Sequence, residues 1–109
     1  MKLTAEEQAW LSTYRSALEE RHPGAVARMV IYGSKARGEA GPDSDLDLLL
    51  IVKNDAAHLK RDLRRIGYLL AAASEAVPSI LAYTETEWEN RRKSGSAFLE
   101  AVERDAVPV

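Results

Sequence analysis

The chain alternates between helical and strand-like spacing of its apolar positions. Thr4-Ala5-Glu6-Glu7 has the form of a capping box, and Trp10, Leu11, Tyr14, Ala17 and Leu18 recur at helical spacing as far as Arg21. His22-Pro23-Gly24 ends this predicted helix. Val26 to Tyr32 is β-branched and apolar enough for a strand, which Gly33 closes. Ser34 to Arg37 leaves room for one short helical turn before Gly38, and a polar loop from Gly38 to Ser44 leads to a second strand, Asp45 to Lys53. That strand is apolar without alternation, the pattern of a strand covered on both faces. Asn54 or Asp55 is placed to cap a long helix with Leu59, Leu63, Ile66 and Leu70 at steps of four, three and four, and Pro78 is read as its stop. Ser79 to Tyr83 reads as a short third strand. Thr84-Glu85-Thr86-Glu87 is a second capping box ahead of Trp88, and a last helix carries Phe98, Leu99 and Val102. There are no repeats, linkers or low-complexity tracts, so one domain over residues 1–109 is expected, of the α/β (α+β) layer class.

Composition narrows the function classes. At 109 residues the chain can bury a single core. Charged residues make up 29 % in mixed signs with a net charge of -2, which lacks the basic excess of a protein that coats nucleic acid. There is no cysteine, which removes disulfides and thiolate metal sites. No run approaches a membrane span and Met1–Glu7 is unlike a secretion signal, so the cytoplasm is the default location.

The segment richest in chemistry is Gly33-Ser34, ten residues, then Asp45-Leu46-Asp47 running into Leu48-Leu49-Leu50-Ile51-Val52. Aspartate is depleted in strands, and two like charges on one face repel unless a cation lies between them. Alternation puts Asp45 and Asp47 on the same face with Cα atoms roughly 6.6 Å apart. Carboxylates so placed can serve a pair of divalent ions ~3.5–4 Å apart. Oxygen ligands without cysteine favour Mg²⁺, with Mn²⁺ as the alternative. Gly33 permits a sharp strand exit, and free N–H groups at the start of the following turn favour an anion. Ser34 adds a hydroxyl; Lys35 and Arg37 add positive charge. Together these features suit a metal–triphosphate complex.

Gly33-Ser34, the gap and Asp45-x-Asp47 resemble the signature of the DNA polymerase β-type nucleotidyltransferase superfamily. The fuller string Tyr32-Gly33-Ser34-Lys35-Ala36-Arg37-Gly38…Ser44-Asp45-Leu46-Asp47-Leu48 is similar to its minimal nucleotidyltransferase (MNT) branch, the antitoxin partners of HEPN-domain toxins. The resemblance implies a small mixed sheet flanked by helices, catalytic and metal-holding roles for Asp45 and Asp47, and nucleotide contacts from Gly33 and Ser34, with Lys35 or Arg37 offsetting charge on the leaving pyrophosphate. It implies transfer of a nucleoside monophosphate, ATP being the favoured donor, to a hydroxyl of a partner protein, the HEPN toxin. The family's third carboxylate lies on a later strand, and its equivalent here is Ser79, an uncharged residue and a poor base. A second reading is therefore a non-catalytic antitoxin that occludes its toxin. Transfer to a small molecule such as an aminoglycoside is the third, disfavoured by the missing acceptor domain.

Plainer readings apply elsewhere. A calcium loop through Asp43, Asp45 and Asp47 fails because Leu48 stands where an EF-hand needs glycine and Asn54 where it needs glutamate; Asp43 is read as a turn residue. Arg37 is equally suited to phosphate or to an ion pair bracing the loop. Lys60, Arg61, Arg64 and Arg65 form a basic helix face, read as solvated, with an acidic partner or RNA as the alternative. His22 and His58 are read as surface residues, and Trp10, Tyr14, Trp88 and Phe98 as core or interface packing.

Overall fold

The computed structural model describes residues 1–39, 41 and 44–109. The turn role expected of Asp43 lies outside the described residues. The elements run α1 (Ala5–Arg21), β1 (Val26–Tyr32), α2 (Gly33–Arg37), β2 (Leu46–Val52), a 3₁₀ segment (Asn54–Leu59), α3 (Lys60–Ala71), β3 (Pro78–Thr84), α4 (Glu85–Lys93), α5 (Ala97–Asp105) and β4 (Val107–Pro108). The strands form one mixed sheet in the order β3-β2-β1-β4. β1 is antiparallel to both of its neighbours, whereas β2 and β3 are parallel and joined through α3.

Both capping boxes form. The Thr4 and Thr84 hydroxyls accept from the N–H groups of Glu7 and Glu87, whose carboxylates accept from the threonine N–H groups in return. The long helix departs from expectation. Its first turns are 3₁₀, because the Asn54 side chain accepts from the Thr86 N–H across the sheet end instead of capping its own helix. The helix also ends at Ala71, and Pro78 opens β3 rather than stopping the helix. Gly95, in the left-handed conformation (φ 73), separates the last helical stretch into α4 and α5.

β2 divides the molecule. Its even positions, Leu46, Leu48, Leu50 and Val52, lie fully buried against α1 and α3 with Trp10, Tyr14, Leu63, Ile66 and Ile80. Contact is close enough to require glycine at position 67, where a Cβ would come within 2.5 Å of Ile80 Cδ1 and 2.8 Å of Tyr14 Cζ. The two rings on this side are anchored by polar atoms: the Trp10 indole N–H donates to the Gly67 carbonyl (3.0 Å) and the Tyr14 hydroxyl to that of Leu63 (2.7 Å). The odd positions Leu49 and Ile51 pack with Val30, Trp88, Leu99 and Val102 under α4 and α5. At the edge of the sheet, the Tyr68 hydroxyl accepts from the Ile80 N–H at 2.8 Å and lies 3.4 Å from the Ile80 carbonyl. No helix of the described residues is long and apolar enough to cross a membrane.

Candidate active site

The odd face of β2 holds one of the expected acids at its start, and the other precedes the strand. Asp47 lies on β2 opposite Tyr32 of β1 and beside Ser79 of β3. Asp45 stands two residues earlier, just before a strand that begins at Leu46 rather than at Asp45. α4 and α5 cover Leu49 and Ile51 further along but leave this end open, so Asp45 is exposed and Asp47 half-buried.

The β1 turn reaches the same point. Gly33 has φ 75, and a Cβ built on it would lie 2.5 Å from Asp47 Oδ2. Any side chain at position 33 would be strained by the backbone and would also strike the carboxylate. The two halves of the sequence motif are thus in van der Waals contact. α2 starts at Gly33 with no side-chain cap from Tyr32, and among the described residues no side chain claims the N–H groups of its first turn. Ser34, half-buried, follows on that turn.

Electrostatics fit the geometry. Asp47 is held above its ordinary value, first by burial and then by the charge of Asp45, while Arg37 pulls it down. A carboxylate held up in this way beside a second acid is one whose charge a hard divalent cation would relieve. Tyr32, on the neighbouring strand, is pushed up to about 12 by burial and by Asp47. No group of three or more acids or histidines able to hold a metal occurs among the described residues. Beside Asp47 in the parallel ladder stands Ser79, the position expected to lack the third carboxylate.

The basic residues of the motif behave differently from one another. Lys35, expected at the nucleotide, does not face the acids. It is 4 % exposed and its ammonium lies 3.0 and 3.1 Å from the two oxygens of Glu7, itself the reciprocal member of the α1 capping box. The five-residue helix turns this side chain inward with Ala36, which makes Lys35 a clamp between α2 and α1. Arg37 braces the loop: its Nε lies 3.0 Å from Glu39 and its Nη1 2.8 Å from Asp105 on α5. From there it is still within electrostatic reach of Asp47. The acid spacing carried no sign of Tyr32, Tyr83 and Phe98, which line the same sheet face. Tyr32 and Phe98 meet edge to face at 5.9 Å, and Arg91 lies over the Tyr83 ring at 4.8 Å. Alternation along β3 would have put Tyr83 on the side of Ser79; nothing local in the sequence points to Arg91.

Comparisons with known proteins bear on the chain as a whole. The family model described as nucleotidyltransferase domain matches residues 11–100. A solved structure of a protein assigned as a minimal nucleotidyltransferase is 26 % identical, with a TM-score of 0.59 and 94 % of each chain covered. The fold is also that of a protein from Sulfolobus solfataricus assigned as a nucleotidyltransferase, 15 % identical, with a TM-score of 0.55 over 98 % of this chain and 87 % of the other. No curated protein matches the chain significantly. With the matched model spanning most of its length and the glycine turn seated on Asp47, this chain belongs to the nucleotidyltransferase domain family, grouping with the minimal nucleotidyltransferases.

Proposed function

We propose that the protein is a Mg²⁺-dependent nucleotidyltransferase that moves a nucleoside monophosphate, AMP from ATP in the favoured case, onto a hydroxyl of a partner protein, as the antitoxin of a HEPN/MNT pair. The observation that carries this reading is the contact of Gly33 with the Asp47 carboxylate, which brings an uncapped turn against two acids that repel one another. Asp45 and Asp47 would hold Mg²⁺, which supplies charge neutralisation for a triphosphate when bound. Gly33 and Ser34 would take the β- and γ-phosphates, and Arg37 lends positive charge at the same end.

Incubation with α-labelled ATP, Mg²⁺ and a HEPN-domain partner tests the reading: label should appear on the partner and vanish in Asp45→Ala/Asp47→Ala. A second reading is supported by Ser79, which stands beside Asp47 where a third acid would complete the cage. In it the protein neutralises its partner by occlusion. Neutralisation that survives the double substitution, with no label transferred, would establish that alternative. Ser79→Asp should raise transfer if the missing charge limits the rate.

A further inference from the structure

The sheet order places the two strands that flank the acids on opposite sides of them. β1, with its Gly33-Ser34 turn, lies to one side of β2, and β3 to the other. Phosphoryl transfer proceeds with the attacking and leaving oxygens roughly in line. If pyrophosphate leaves from the Gly33-Ser34 side, the acceptor hydroxyl must enter from the β3 side. Its oxygen then bonds to the α-phosphorus as the bond to the bridging β-phosphate oxygen breaks; the electron pair leaves with pyrophosphate, and the hydroxyl proton passes to solvent. The β3 side is built in a definite way. Ser79, Leu81 and Tyr83 follow one another beside Asp47, Leu49 and Ile51. Over Tyr83 lies the Arg91 guanidinium, 4.8 Å from the ring centroid and 5.9 Å from that of Phe98, whose edge meets Tyr32 opposite Asp47.

Arg91 has no carboxylate partner among the described residues, whereas the adjacent Arg92 is held by Glu89 and Glu103. Half-buried on two aromatic rings, its planar cation is fixed in place with its hydrogen-bonding edge unclaimed by an acid. We infer that Arg91, seated on Tyr83 of β3, four residues along from Ser79, and on Phe98 of α5, selects the acceptor by pairing with an acidic side chain close to the hydroxyl that is modified. This rests on the nucleotidyltransfer reading, and it assigns Arg91 to acceptor choice and not to nucleotide binding.

Two fluorescein-labelled peptides, each a single tyrosine flanked by glutamates or by lysines, read this by fluorescence anisotropy, with ATP affinity measured in parallel by calorimetry. The wild type should prefer the glutamate peptide by about tenfold, one charge-assisted contact's worth. Arg91→Ala should lose the preference, Arg91→Lys should keep part of it, and Arg91→Glu should reverse it, all with ATP affinity unchanged. Equal binding of the peptides by the wild type, binding of neither, or an undiminished preference in Arg91→Ala overturns the inference. So does a loss of ATP affinity in Arg91→Ala, which would place the guanidinium on the nucleotide. A wild type that binds no ATP while still preferring the glutamate peptide would instead remove the nucleotidyltransfer reading.

Discussion

The two faces of β2 put the same strand to opposite uses. On the even face every position from Leu46 to Val52 is sealed by α1 and α3, and the polar atoms that enter, such as the indole of Trp10 and the hydroxyl of Tyr14, are spent on backbone carbonyls. On the odd face α4 and α5 cover Leu49 and Ile51 and stop short of Asp47, leaving a charged, half-exposed end. The first face is closed over by packing, and the second leaves its acidic end accessible. Substitutions should therefore separate into those that cost folding free energy alone and those that alter the site with little change in folding.

The largest stability effect is expected at the Lys35–Glu7 pair, which belongs to the sealed side although its lysine lies within the motif. Lys35→Ala leaves a buried carboxylate unpaired and should cost about 3–5 kcal/mol in denaturant unfolding. Glu7→Gln/Lys35→Met should recover much of this, and ATP affinity of the folded fraction should be unchanged. A specific loss of ATP affinity at unchanged stability would return Lys35 to the nucleotide. Gly67→Ala comes next: its Cβ would meet Ile80 and Tyr14, and overpacking of about 1–3 kcal/mol should lower Tm without touching the acids.

Gly33→Ala tests the boundary between the two uses. A left-handed residue with a Cβ 2.5 Å from Asp47 Oδ2 should cost about 1–3 kcal/mol and displace the carboxylate as well, so ATP affinity should fall together with Tm. The smallest effect is expected at Asp47, with the opposite sign. Its folded pKa is raised, so its contribution to stability is present at low pH and is lost as pH rises above the ordinary value of 3.8. Asp47→Asn should then be slightly more stable than the wild type at neutral pH, the gap opening as pH rises and closing below pH 4, while nucleotide transfer is abolished. Thermal melts at pH 4 and pH 7 check the sign.

Local signals made much of this arrangement legible in the sequence. The capping boxes at Thr4 and Thr84 and the unbroken apolar run after Asp47 each depend on near neighbours, and each reappears in place. The family resemblance singled out Ser79 on the third strand, and the ladder sets that residue beside Asp47. What escaped depends on distant partners. Lys35 looks like any basic residue in a phosphate turn until α1 presents Glu7 to it. Asn54 looks like a cap until Thr86 takes its side chain. β4, two residues long and ending in proline, has no periodicity to read and exists because β1 offers it an edge. Arg91 reaches the sheet face only through the packing of Tyr83 and Phe98.

The hydroxyl of Tyr68 has a consequence for how copies of this protein can meet. β3 is the outer strand of the sheet, and an outer strand invites another chain to continue the ladder. Here Pro78 has no N–H to offer, Ile80 is already engaged by Tyr68, and the Thr84 N–H is committed to Glu87. Lateral growth of the sheet is opposed at three of the points where a new strand would dock, which disfavours strand addition along this border.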